Sequence, residues 1–223
     1  MMKNIFLLCF LLLSVSSLAQ NNTTAKEEWK EIYKKYTQSD ISLSMQYKSI
    51  EVENTIPITI DSGTVEFHKK GNRTHYQDSD QRIITTTDYL LYISEKDSLI
   101  VLNTRESNEE ENQMQKQLKA LDSLIDASAL QKEQNKDISI FTIQKDKNNI
   151  EIYVASNIKE ITKIRYFNTL TTATDSYTEV NYTKTLFSPV FESNFFSIEN
   201  YIKKKKEKWA LTKKYNNYTL IAE

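Results

Sequence analysis

Apolar and polar residues alternate along most of this chain at the two-residue spacing of β-strands. Ile41, Leu43, Met45 and Tyr47 alternate with Ser42, Ser44, Gln46 and Lys48, the pattern of a half-buried strand. After Tyr47 the apolar positions move to Ile50 and Val52, a parity change that predicts a β-bulge near Lys48 or Ser49 and a bend in the sheet. Thr55 to Ile60 predicts a short strand held to an edge by Pro57, with Asp61-Ser62-Gly63 turning the chain. A two-residue turn at Gly71-Asn72 would pair Phe67 with Tyr76 and His68 with His75. Val65, Phe67 and Tyr76 then share an apolar face, and Glu66, His68, His75 and Gln77 a polar one.

The stretch Gln81 to Thr104 predicts a central hairpin around Ser94-Glu95-Lys96-Asp97. With Ser94 paired to Asp97, Tyr92 faces Leu99 and Leu90 faces Val101, while Leu91, Ile93, Ile100 and Leu102 take the other side. Both sides are apolar, so each requires a cover. Further on, pairing Lys145 with Ile150 sets Phe141 opposite Val154 and Ile143 opposite Ile152. Ile161 to Phe167 and Tyr177 to Leu186 predict two more strands.

Helical spacing interrupts this pattern twice. Thr24 and Glu27 form a capping box ahead of Trp29, Ile32, Tyr33 and Tyr36, predicting an amphipathic helix to about Thr37. Ser107 and Glu110 form another, and Met114, Leu118, Leu121 and Ile125 make the stripe of a helix reaching about Gln131, a candidate cover for the central hairpin. Phe187 to Phe196 carries four phenylalanines without a clean period and reads as a buried connection or a lid. Lys203 to Lys206 reads as a solvated edge, and Trp209, Leu211, Tyr215, Tyr218, Leu220 and Ile221 bring the terminus back to the sheet. The expected fold is mainly β with helices: an antiparallel curled sheet (half-barrel) covered by an N-terminal helix and an inserted helix.

Composition narrows the function classes. Lys3, the apolar run Ile5 to Leu13 and the small residues ending at Ala19 form a signal peptide, so residues 1–19 are expected to be removed and 20–223 to make one domain. The apolar run is too short for a transmembrane anchor. Cys9, the sole cysteine, lies in this leader, so neither disulfides nor thiolate zinc sites are expected in the mature chain. A formal net charge of −1 argues against a nucleic-acid partner. Two glycines and two prolines leave no phosphate-cradling loop. His68 and His75 beside Glu66 offer a metal pair, but catalytic zinc ordinarily takes three protein ligands, and a pair on a wet face reads as surface histidines that repel when protonated. No catalytic constellation, cofactor or metal site is expected.

The order of leader, helix, curled hairpins, inserted helix and further hairpins resembles the periplasmic lipoprotein-carrier (LolA-like) family. The most specific part runs from Gly63 to Asn103: a strand, the Lys69-Lys70-Gly71 turn, a strand, Asp88 before Tyr89-Leu90-Leu91-Tyr92, and a returning strand. Arg73 stands near the position of that family's arginine, while Tyr89 replaces its second turn glycine. The resemblance implies a half-barrel closed by helices over an apolar cavity, a periplasmic monomer, and a cargo that is a lipoprotein acyl chain or another amphiphile passed between envelope proteins. Leu43, Met45, Phe67, Tyr76, Tyr92, Leu99, Phe141 and Ile143 are the candidate lining. The alternative is an exported, non-catalytic module recognising a protein or glycan through its surface.

Overall fold

The computed structural model describes residues 24–54, 56–105, 129–145, 148–168, 176–206 and 208–222. The leader and most of the expected inserted helix lie outside these. Helix α1 (residues 24–38) opens the described chain. Fourteen strands follow: β1 (Ile41–Glu53), β2 (Ile56–Lys70), β3 (Arg73–Gln77), β4 (Gln81–Thr85), β5 (Tyr89–Ser94), β6 (Leu99–Thr104), β7 (Ala129–Asn135), β8 (Ile138–Lys145), β9 (Asn148–Ala155), β10 (Glu160–Asn168), β11 (Ser176–Phe187), β12 (Ile202–Lys205), β13 (Lys208–Leu211) and β14 (Thr219–Ala222). Twelve form one sheet in the order β14-β6-β5-β4-β3-β2-β1-β11-β10-β9-β8-β7, and β12 and β13 form a separate hairpin. The pairing is antiparallel except for β14 alongside β6. β7 and β14 are its unjoined ends, so the sheet is open and does not close into a barrel.

Bulges interrupt three ladders, and their extra residues are Thr183 on β11, Ile60 on β2 and Thr162 on β10. The bulge expected near Lys48 and Ser49 falls between Ser49 and Ile50, with the extra residue on the partner strand. Two of the three extra residues are threonines. Thr183 donates its hydroxyl to the Ser44 carbonyl at 3.0 Å, and Thr162 donates to the Tyr153 carbonyl at 3.2 Å. Each side chain thus supplies a hydrogen bond where the ladder is disrupted.

Two apolar cores sit on opposite faces of the sheet. On the inner face, Ala25, Trp29, Ile32 and Tyr36 of α1 join Ile41, Leu43, Phe67, Leu130, Phe141, Ile143, Ile152, Val154, Ile161 and Ile164. Trp29 meets Phe141 edge-on at 6.1 Å between ring centroids. The end of α1 is fixed by Lys69, whose buried ammonium donates to the Thr37 carbonyl, a cation at the negative end of the helix dipole. On the outer face, Ile84, Leu91, Ile93, Ile100 and Leu102 pack against Ile198, Tyr201, Ile202 and Tyr215 of the C-terminal strap, residues 188–222. The strap is therefore one of the covers that the double-sided central hairpin required.

Four sequence expectations change. The central hairpin pairs Ser94 with Leu99 and Tyr92 with Val101. Here Ser94 and Asp97 make a side-chain-capped turn: Ser94 Oγ donates to Asp97 Oδ2 at 2.7 Å and accepts from the Asp97 amide at 3.1 Å. Similarly, Lys145 pairs with Asn148, so Phe141 opposes Ile152 and Ile143 opposes Ile150. Asp61-Ser62-Gly63 is continuous strand within β2. Residues 129–131 belong to β7, where Leu130 pairs with Ile143, and do not extend a helix.

Candidate ligand-binding face

The strand registers carry the inner face from end to end. Leu43, Phe67, Tyr76, Ile83, Tyr92, Val101 and Ile221 form one cross-strand row from β1 to β14. In the other direction Tyr47, Val180, Ile164, Ile152 and Phe141 continue that face to β8. All eight candidate residues lie on it. Leu43, Phe67, Phe141 and Ile143 are buried in the core with α1, and Met45 and Tyr76 pack against that core. Tyr92 and Leu99 lie beyond it, half-buried on β5 and β6. Ile83, Leu90 and Val101 share that half-buried surface and belong to neither core of described residues. The sequence places Leu90 and Val101 on the side of Tyr92 and Leu99, but which residues of that face α1 leaves outside its core depends on packing that no local pattern carries.

A polar edge bounds the apolar row at Tyr47 and Tyr76. The Tyr76 hydroxyl donates to Asp78 Oδ2 at 2.8 Å, and the amides of Asp80 and Gln81 donate to Asp78 Oδ1, each at 2.9 Å. Burial, reinforced by Asp78, pushes the Tyr76 phenol up to about 12. Burial also raises the Tyr47 phenol, with the charges of Asp61 and Asp78 adding to it. Both phenols stay protonated at neutral pH with their O–H held by a carboxylate, Tyr76 by Asp78 and Tyr47 by Asp61, and each oxygen can still accept a hydrogen bond from a polar group at the edge of an apolar ligand. No group of three or more His, Cys, Asp or Glu among the described residues is arranged to hold a metal ion.

The outer face is divided in character. Over β9–β11 it carries a charged network: Arg165 Nε donates to Glu179 Oε2 at 2.8 Å, Lys163 lies 3.6 Å from the same oxygen, and Tyr153 donates to Glu151 Oε2 at 2.7 Å. Over β2 and β3 it carries His68 and His75, opposite one another as the Gly71-Asn72 turn predicts. They are not the wet pair expected. Phe195 covers both, with ring centroids 4.9 Å from His68 and 5.2 Å from His75. Burial first, then the charges of His68 and Arg82, lower the His75 imidazole to about 4. The covering ring lies 120 positions after His75, out of reach of any local pattern.

No sequence family and no curated protein matches the chain. Solved structures similar to it include three of low sequence identity. An uncharacterized conserved protein from Thermus thermophilus matches with TM-score 0.48 and 6% identity, over 90% of this chain and 99% of that one. A chain in the complex structure of Pseudomonas aeruginosa MucA/MucB matches with TM-score 0.49 and 8% identity, over 85% of this chain and 63% of that one. A putative outer membrane lipoprotein-sorting protein domain from Vibrio parahaemolyticus matches with TM-score 0.36 and 12% identity, over 81% and 99% of the two chains. Among the described residues, no helix is long and apolar enough to cross a membrane.

Proposed function

We propose that this protein is an exported, non-catalytic carrier that holds an acyl chain, as part of a lipoprotein or another amphiphile, against the inner face of its sheet. The observation that supports this most is the division of that face. Its β7–β3 part packs against the core formed with α1, whereas Ile83, Leu90, Tyr92, Leu99 and Val101 form a half-buried apolar surface on β4, β5 and β6. Each methylene seated there would contribute about 0.8 kcal/mol. Tyr76 and Tyr47 stand where the polar end of a chain would emerge, so their hydroxyl oxygens are available to accept from an amide N–H of an acylated peptide. The test is titration of the purified mature chain with a fluorescent long-chain fatty acid and with a synthetic acylated peptide. Saturable binding, weakened at least about tenfold by Tyr92→Asp or Leu99→Asp in a protein of unchanged circular dichroism, is expected. Failure of both probes to bind, or equal binding by the variants, overturns the reading.

Recognition of a partner protein through the surface is the second reading, and one observation favours it. Ile56, Ile58 and Ile60 on β2 are 64%, 42% and 57% exposed, a concentration of apolar area unusual outside contact surfaces.

A further inference from the structure

We infer that His68 and His75 form a pH-operated latch, protonation of which frees residues 188–197 of the strap from β2 and β3. The geometry carries the inference. Phe191, Phe195 and Phe196 contact one another with ring centroids 5.0 to 5.1 Å apart, so they move as a unit. Phe195 caps both imidazoles and Phe191 touches His68 at 5.9 Å. Beneath them both ring nitrogens of His75 are buried without a hydrogen-bond partner. The neutral ring tolerates this as an aromatic packing element. An imidazolium has two N–H donors and a charge, and no acceptor is in place for either.

The groups facing the pair set the direction. From β1 comes Ser42, whose hydroxyl lies 2.9 Å from His68 Nδ1. From β2 comes Glu66, 4.0 Å from His68 Nε2 and already accepting from Ser44 at 2.8 Å. From β4 comes the positive charge of Arg82, acting on His75. β3 adds Arg73, whose guanidinium lies 5.6 Å from the Phe196 ring. The strap presents phenylalanine rings, with Glu192 exposed between them. Protonated His68 has Glu66 to offset it, whereas protonated His75 meets His68 and Arg82. Release of Phe195 lets water reach the His75 ring. The rest of the strap stays attached through Ile198, Tyr201, Ile202 and Tyr215 in the outer core and through Arg82 Nη1, which donates to Tyr215 Oη at 3.2 Å.

The sign follows from the buried imidazoles. His68 and His75 both titrate below an exposed histidine, so the closed latch is fully favoured above about pH 6.5 and loses stability as pH falls toward the closed-state value of about 4 for His75. Across that window the closed-to-open ratio falls on the order of a hundredfold.

Hydrogen exchange measured by mass spectrometry on the purified chain, at about pH 7.5 and about pH 4.5 with intrinsic rates corrected, tests the latch. Protection of residues 188–197 is expected to drop at least about tenfold at the lower pH while β8–β10 keep theirs. In both His75→Leu and His75→Gln, two substitutions that cannot titrate, residues 188–197 stay protected at the lower pH. Phe195→Ala opens the segment at both pH values, which shows that the latch rather than the whole sheet is being read. Protection unchanged with pH, loss shared equally by β8–β10, or a folded His75 variant that opens like the wild type overturns the inference.

Discussion

Tyr47 lies across Gly63 on the neighbouring strand: a Cβ added to Gly63 would sit 2.7 Å from Tyr47 Cε1 and 2.9 Å from its hydroxyl oxygen. The two are direct cross-strand partners, and the ring covers backbone that a strand glycine otherwise leaves bare. Gly63→Ala displaces the ring and is expected to cost about 1 kcal/mol in chemical unfolding. In a Tyr47→Ala background the same change is expected to gain roughly 0.5 kcal/mol, because alanine restricts the unfolded chain and the obstructing ring is gone. Equal effects in the two backgrounds would show that the ring does not set the requirement for glycine.

The Tyr36 hydroxyl accepts from the Ile161 amide at 3.0 Å, beside the Thr162 bulge, and so ties α1 to β10. Burial pushes the Tyr36 phenol up to about 12. Tyr36→Phe preserves the packing with Phe187 and leaves a buried N–H unpaired, an expected loss of about 1–3 kcal/mol. The Ile161 amide should then exchange faster than the Ile164 amide, which NMR would resolve.

The helix and the face assignments were legible in the sequence for a simple reason. Trp29, Ile32 and Tyr36 fall on one helical stripe, and strand faces follow from parity alone. Both misjudged hairpins slipped by two positions, one through the Ser94–Asp97 capped turn and one through the tighter Lys145–Asn148 closure, and an even slip returns every side chain to its face. Tyr92 and Leu99 therefore kept their side although they are not partners. What could not be read locally depended on distant chain. Gly63 marks a turn by residue type, yet Tyr47 makes it strand. Residues 129–131 continue a helical stripe by sequence, yet pairing with β8 makes them strand. The histidine pair was placed correctly in register and wrongly in environment, because its cover arrives from the strap.

The network on β9–β11 predicts a second acid-sensitive step, separate from the latch. Burial alone would raise the Glu179 carboxyl, but hydrogen bonds from Asn181 and Arg165 and the charge of Lys163 outweigh it and hold the group below the usual carboxylate range. A carboxyl lowered by folding contributes stability above its unfolded value of about 4.3 and loses it as pH falls through the folded one. Glu179→Gln is expected to lower stability at neutral pH by about 1 kcal/mol, a value moderated by partial exposure, and to flatten the pH dependence below about pH 4.5. Urea midpoints at several pH values would check this, and an unchanged slope would place the acid sensitivity elsewhere.

The far ends of β1 and β2 separate the two functional readings. β11 accompanies β1 only as far as the Ile50–Tyr177 pair, and β3 accompanies β2 only to the Glu66–Gln77 pair. Among the described residues, 51–53 and 56–60 thus form a ribbon of two strands. Pro57 and the bulge at Ile60 blunt its edge against strand addition, which leaves the isoleucine side chains as its exposed feature. Ile56→Thr combined with Ile58→Thr removes apolar area that folding does not bury, so the unfolding free energy should stay within about 0.5 kcal/mol of the parent. If the protein carries acyl chains on its inner face, this variant binds the fatty-acid probe like the parent, while Tyr92→Asp does not. If the ribbon instead recognises a partner, the order reverses: the double variant loses the physiological association and Tyr92→Asp retains it. Measuring both associations on both variants decides between the readings, because one substitution alters the half-buried row and the other alters only exposed side chains.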